Sequence, residues 1–280
     1  MLKNIGIIGN GFVGKAVKES FKNHFEIFVY DVDKRKSNVK SLSELVSNCK
    51  VIFLCLPTPM YEDGTCNTSI VEIMLSQING YGPNKSYDIV IKSTIPPGTT
   101  EEWNERFEKL NIVFNPEFLT ERSAKFDFIN QSRFILGGRK RNTARVADLY
   151  RWRFGDSVPC IETNFETAEM IKYMNNCFFA TKVSFMNEMK LIADKSNVDW
   201  DLAVDGFVRD GRIGHSHLAV PGPDGKRGFG GSCFPKDIQA MINFGKNLDV
   251  DMNTLLGAWA TNLQVRPEKD WENLKGRAVT

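Results

Sequence analysis

The run Gly230-Gly231-Ser232-Cys233-Phe234-Pro235-Lys236-Asp237 sets one thiol where it could react. Helical periodicity begins just after it. A helix N-terminus and a neighbouring lysine both favour the thiolate, the nucleophilic form of cysteine. The paired glycines would let a ligand approach closely. Most free cysteines are buried and inert, and Cys49, Cys55 and Cys177 fit that description because they lie within apolar helix or strand patterns. Lys172 and Asn176 stand four residues apart on a mostly apolar helical stretch, so their side chains share a face. An ammonium beside an amide can stabilise an oxyanion. The alternative is a lysine that lays its stem along the helix and reaches solvent with its head.

A second constellation opens the chain. Gly9-Asn10-Gly11-Phe12-Val13-Gly14 follows a strand pattern, Ile5–Ile8, and starts a helical one. In such a turn the first glycine permits the tight bend and the second lets backbone approach a pyrophosphate. The third allows close packing, and the helix N-terminus faces the negative charge. Asp31 lies 17 residues beyond Gly14, near the ~20 expected of an acid that binds ribose hydroxyls. A carboxylate there would repel a 2′-phosphate, which favours NAD over NADP. The cluster Lys34-Arg35-Lys36 could hold that phosphate or could be a solvated loop, and the solvated loop is preferred. Three more runs end strand patterns: Pro57-Thr58-Pro59, Ser93-Thr94-Ile95-Pro96-Pro97-Gly98-Thr99 and Asn115-Pro116-Glu117-Phe118. Each alone could be strand punctuation. Together they collect at the carboxyl edge of an open sheet, where ligands bind.

These residues need a scaffold. Strand patterns at Ile5–Ile8, Glu26–Tyr30, Val51–Leu56, Asp88–Ser93, Ile112–Phe114 and Arg133–Leu136 alternate with helical stretches around 13–22, 42–48, 67–78, 99–109 and 142–152. This alternation predicts an α/β, Rossmann-like, doubly wound parallel sheet over residues 1–163. Thr163 and Glu166 have capping-box spacing and open a helical stretch reaching about Asn197, apolar on more than one face. Helices around 199–207, 236–247 and 251–265 and a glycine-rich loop at 209–235 complete an all-helical central domain over 164–265. The remainder, 266–280, is polar and reads as a frayed tail or truncated linker. A net charge of +2, with 36 basic against 34 acidic residues, argues against a nucleic-acid protein. No run approaches the ~18 apolar residues that span a bilayer. The strand pattern at Ile5 leaves no room for a signal peptide. The six cysteines form no CxxC pair and no metal-ligand spacing. A cytoplasmic protein with reduced thiols, no metal and no membrane partner is expected.

With these residues assembled, the chain resembles the UDP-glucose/GDP-mannose dehydrogenase family over about residues 4–265. The motifs that carry the resemblance, in order, are Gly9–Gly14, Pro57-Thr58-Pro59, Ser93–Thr100, Asn115-Pro116-Glu117-Phe118-Leu119, Glu169–Glu188 and Gly228–Asp237. The resemblance implies oxidation of a sugar's C6 primary alcohol to a carboxylate with two NAD, UDP-glucose to UDP-glucuronate being the leading case. Cys233 would capture the intermediate aldehyde as a thiohemiacetal and pass through a thioester. Lys172 and Asn176 would stabilise oxyanions, while Thr94, Glu121 and Asp237 would surround the water and reactive carbon. Glu117 would act as an acid–base group. Gly9, Asn10, Gly11, Phe12, Val13, Gly14, Asp31, Thr58, Thr94 and Lys236 would contact the cofactor. Glu117, Phe118, Leu119, Lys172, Asn176, Phe229, Gly230 and Cys233 would contact the nucleotide sugar. Arg212 would reach the substrate across a homodimer interface built on the long helix.

Family members continue into another α/β domain. This sequence stops at Lys275-Gly276-Arg277-Ala278-Val279-Thr280, about where that domain's first strand would begin, so the chain is expected to lack it. The loop before Gly228 is lengthened by 220–227, in which Lys226 and Arg227 either contact substrate phosphates or are solvated. Two other functions compete. A single-step β-hydroxyacid dehydrogenase has a similar architecture and a lysine on the long helix but needs no cysteine. A catalytically inactive dinucleotide-binding dimer would show no turnover.

Overall fold

The computed structural model describes residues 4–81, 87–120 and 122–280. Seven strands form one sheet in the order β2-β1-β3-β4-β5-β6-β7. They are Asn4–Ile8 (β1), Glu26–Tyr30 (β2), Val51–Leu54 (β3), Tyr87–Ile91 (β4), Leu110–Phe114 (β5), Phe134–Gly138 (β6) and Cys160–Thr163 (β7). The helices threading them are Phe12–Phe21 (α1), Leu42–Asn48 (α2), Ser69–Gly80 (α3), Thr99–Arg106 (α4), Ala124–Ile129 (α5) and Lys140–Phe154 (α6). Alternate residues of the strands feed two cores, as the two-residue period requires. Ile52, Leu54, Ile89, Ile91, Ile112 and Phe114 pack on one side. Val51, Phe53, Val90 and Val113 pack on the other with Phe21, Phe134 and Tyr150. A sheet covered on both faces explains why β3 is buried at every position.

Two features depart from the expected all-parallel sheet. β6 pairs antiparallel with β5, Val113 opposite Gly138 and Phe114 opposite Gly137. Among the described residues the β5–β6 connection holds the six-residue α5, and it delivers β6 reversed in direction beside β5. β6 therefore enters from beyond the carboxyl end of β5. β7, parallel to β6, has no strand pattern of its own, because Glu162 and Ile161 are both exposed.

The long helix is Phe165–Ala193 (α7), 29 residues. Its cap is Asn164 rather than Thr163. The Asn164 side chain accepts the Thr167 N–H at 2.9 Å. Asn164→Ala is expected to lower stability by about 1 kcal/mol, read by thermal unfolding. At Gly137 an added Cβ would stand 2.5 Å from Ala168 Cβ, so the missing side chain is what lets the start of α7 lie against β6. The Glu169 carboxylate accepts the Gly98 N–H at 2.7 Å and the Thr100 N–H at 3.0 Å, fastening α7 to the start of α4.

Contacts divide the chain into two compact units, 1–58 with 68–172, and 59–67 with 173–280, the boundary falling inside α7. The second unit also contains Trp200–Val208 (α8), Phe234–Asn247 (α9) and Asn253–Val265 (α10). Residues 266–280 are not a frayed tail. Trp271 is 2% exposed and packs with Met60 and Ala278. The backbone bonds Met60 N–H to Ala278 O (2.8 Å) and Thr280 N–H to Met60 O (3.0 Å). One tryptophan and a short backbone pairing hold this segment despite its polar composition. No helix among the described residues is long and apolar enough to cross a membrane. No group of His, Cys, Asp or Glu among them could hold a metal.

Candidate active site

In the second unit, α9 begins earlier than its periodicity suggests, so that Cys233 is its N-cap residue. Cys233 is half-buried, with Ser232 Oγ at 3.8 Å from its sulfur. One turn on, the Asp237 N–H bonds the Cys233 carbonyl at 3.0 Å. The Asp237 carboxylate, 1% exposed, accepts Asn176 Nδ2 at 2.6 Å and Lys236 Nζ at 2.5 Å. Burial alone would pull the Lys236 ammonium down; the Asp237 carboxylate and the thiols of Cys66 and Cys233 outweigh it and hold its pKa above the ordinary lysine value. The lysine beside the thiol is thus a cation anchored by its neighbour. The other thiols differ. Burial pushes Cys49 and Cys55 up to about 12 and Cys177 higher still, which keeps them protonated and inert.

The glycines before Cys233 are not equivalent. A Cβ on Gly230 would stand 2.5 Å from both Arg266 Nη2 and Asp270 Oδ1. The space beside Gly230 therefore belongs to the protein, and Gly231, in the left-handed region at φ +70°, faces open room. Phe229 is buried, its backbone bracketed by Asn262 at 2.7 and 3.0 Å. The Arg212 guanidinium is exposed and chelated by Asp210. Lys226 pairs with Glu268 at 3.0 Å and Arg227 with Asp194. Both side chains remain partly exposed, so these surface pairs leave the choice between phosphate contact and a solvated loop open.

In the first unit, the carboxyl ends of β3, β4 and β5 carry the remaining residues. Thr58 Oγ1 donates to the Thr94 carbonyl at 2.9 Å, and Ser93 Oγ donates to the Leu56 carbonyl at 2.7 Å, stapling two strand ends together. Glu117 is buried and Lys172 Nζ donates to its main-chain carbonyl. The same ammonium lies 5.4 Å from the Phe118 ring, and Leu119 packs against the core. Lys172 is therefore a buried, hydrogen-bonded cation rather than a snorkelling one. Glu121 lies outside the described residues.

Sequence reasoning did not single out the group beneath this edge. Lys92, with a side chain 0% exposed, pairs with Glu117 Oε2 at 3.2 Å and donates to Asn115 Oδ1 at 2.8 Å. Tyr150 donates its hydroxyl to the same oxygen at 2.6 Å, and Asn115 Nδ2 donates to the Ile135 carbonyl at 2.8 Å. Burial raises the Tyr150 hydroxyl well above the ordinary tyrosine value. A buried lysine at a strand end was the available signal, because such a charge needs a partner.

Sequence profiles of the UDP-glucose/GDP-mannose dehydrogenase family match this chain twice, the NAD binding domain over residues 37–153 and the central domain over 166–264. The chain belongs to this family. It is 32% identical to a UDP-glucose 6-dehydrogenase of Bacillus subtilis over 84% of its own length and 51% of that protein's. Against a UDP-glucose 6-dehydrogenase of Rickettsia prowazekii it is 35% identical, over 79% of this chain and 50% of the relative. The chain thus spans about half the length of these relatives. A UDP-glucose dehydrogenase structure from Pyrobaculum islandicum superposes with a TM-score of 0.84 at 28% identity, covering 94% of this chain and 68% of that one.

NAD is the cofactor of this nucleotide-sugar dehydrogenase family chain, and the first unit fits it. Gly9 and Gly14 are spent on the turn itself: a Cβ on Gly9 would overlap the Cys55 carbonyl, and one on Gly14 the Gly9 carbonyl. A Cβ on Gly11, the N-cap of α1, would meet nothing within 4 Å, so this side of the turn is open to a pyrophosphate. No acid occupies the first turn of α1, which starts with Phe12 and Val13. Asn10 Oδ1 is buried without a partner. Asp31 accepts the Asn10 N–H at 2.7 Å and the Asp33 N–H at 2.9 Å, and a carboxylate retains further acceptor positions for ribose hydroxyls. Asp31 lines a cavity of about 630 Å³ with Tyr30, Val32, Leu42, Gln77 and Tyr81. Of the basic cluster, Arg35 is held by Asp33 at 2.9 Å, which pulls that carboxyl to about 2.

Proposed function

We propose that this chain oxidises the C6 primary alcohol of a nucleotide sugar, UDP-glucose foremost, to the carboxylate in two steps through Cys233. The observation that supports this best is Cys233 at the N-cap of α9, with the Asp237–Asn176–Lys236 cluster one turn along the helix. NAD, held at the Gly9–Gly14 turn and by Asp31, would supply the hydride acceptor for each oxidation. The first oxidation gives an aldehyde, and the alcohol proton goes to a carboxylate, Glu117 or Glu121, with Thr94 beside the reactive carbon. The Cys233 sulfur then adds to the aldehyde carbon, forming a C–S bond and an oxyanion. Lys172 and Asn176 stabilise that charge. Loss of the second hydride from this thiohemiacetal leaves a thioester. Water, held by Asp237 and the carboxylates, attacks the carbonyl, the C–S bond breaks, and Cys233 is regenerated as the carboxylate leaves.

Purified protein with NAD and a panel of UDP-glucose, UDP-N-acetylhexosamines and GDP-mannose tests this. NADH should form most rapidly with UDP-glucose, and no NADH with any member overturns the proposal.

The chain also acts as a homodimer in this proposal. Met174, Phe178, Phe185 and Ile192 project from one face of α7 and are 48–63% exposed, an apolar stripe that a second copy would cover. Arg212, exposed and flexible in length, would enter the partner's substrate site. Phe178→Glu/Phe185→Glu should halve the mass measured by light scattering; an unchanged mass contradicts the dimer.

A further inference from the structure

Arg266 follows the last turn of α10 and is 2% exposed. Its guanidinium grips Asp270 in two bonds, Nε to Oδ1 at 2.6 Å and Nη2 to Oδ2 at 3.0 Å. Nη2 also donates to Asp224 Oδ2 at 2.7 Å, and Nη1 to the Arg227 carbonyl at 3.2 Å. All four bonds come from the planar fork that lysine lacks. Arg266 and Asp270 together fill the space beside Gly230. The backbone between is held as well, Gly228 N–H by Asn187 Oδ1 at 3.1 Å and Phe229 by Asn262. Only Gly231 and Ser232 then separate a fixed backbone from Cys233. Two adjacent glycines would otherwise give this approach wide conformational freedom.

We propose that Arg266, with Asp270, is a positioning residue for Cys233: the clamp fixes the backbone of 227–230 so that the sulfur is presented in one place at the start of α9. The proposal rests on Cys233 as the nucleophile. Arg266 touches neither substrate nor sulfur and acts through the loop.

Arg266→Lys keeps the charge and removes the fork. The folded protein should bind NAD as the wild type does. Its kcat with UDP-glucose should fall at least tenfold with KM within twofold, because the chemistry and not the binding depends on the sulfur's placement. Independently of turnover, the rate at which iodoacetamide labels Cys233, followed on its peptide by mass spectrometry with Cys233→Ser as the blank, should rise at least fivefold as the loop loosens. Asp270→Asn, which keeps the shape and weakens the grip, should change both in the same direction by smaller factors, and it decides the matter if Arg266→Lys does not fold. A folded variant with kcat and labelling rate both within twofold of wild type overturns the clamp. If the wild type turns over no nucleotide sugar, the proposed reaction fails, whereas the labelling rates still test the clamp.

Discussion

Cys233→Ser is expected to abolish carboxylate formation, by at least about a thousandfold, the scale on which loss of a nucleophile acts, while NAD affinity stays within twofold. The substitution changes one atom. Ser232 Oγ lies 3.8 Å from the sulfur, and a serine hydroxyl occupies nearly the same space, so packing loses little. A serine hydroxyl at neutral pH is far less nucleophilic than a thiolate unless a base activates it. The aldehyde is then left uncaptured, and oxidation stops after one hydride or releases aldehyde. The NAD turn, Gly9 to Gly14, belongs to the other contact unit and should be untouched. Fluorescence titration with NADH and acid quantification by chromatography read the two halves of this prediction. Normal acid production by the variant would remove the covalent mechanism.

Lys92→Met is expected to destabilise the protein by about 3–5 kcal/mol, the cost of leaving a buried carboxylate without its cation. Glu117 Oε2 sits 3.2 Å from the Lys92 ammonium, and Asn115 Oδ1 loses a 2.8 Å donor while keeping Tyr150. The methionine fills a similar volume, so a cavity is not the cause. For a chain of this size the loss corresponds to a fall in Tm of about 6–20 °C. Lys92→Met/Glu117→Gln removes both charges and should recover most of it. A single variant within about 2 °C of wild type would show that the pair is not what secures this edge.

The parts legible in the sequence were those whose signal is local. Gly9-Asn10-Gly11-Phe12-Val13-Gly14 bends the chain between a strand and a helix, and of its three glycines Gly9 and Gly14 make room for backbone while Gly11 faces open space. The alternation of Val51, Ile52, Phe53 and Leu54 between two cores follows from strand geometry alone. What stayed hidden depends on partners far apart in the chain. Lys92 looks like a strand end until Asn115, Glu117 and Tyr150 are brought to it. Arg266 looks like part of a polar tail until Asp224, 42 residues earlier, is beside it. Gly230 was read as room for a ligand, although its space is filled by the Arg266–Asp270 pair. β7 was invisible because an exposed edge strand lacks an apolar period. The cap of α7 moved by one residue because Thr163 and Asn164 are both competent caps and only backbone conformation chooses between them.

The two-step route through Cys233 is tested most directly by counting NADH formed per molecule of nucleotide sugar consumed, at limiting sugar and excess NAD. The thioester route predicts two NADH per sugar with the carboxylate as sole product. One NADH per sugar, with aldehyde accumulating, would contradict it and leave a simple alcohol dehydrogenase.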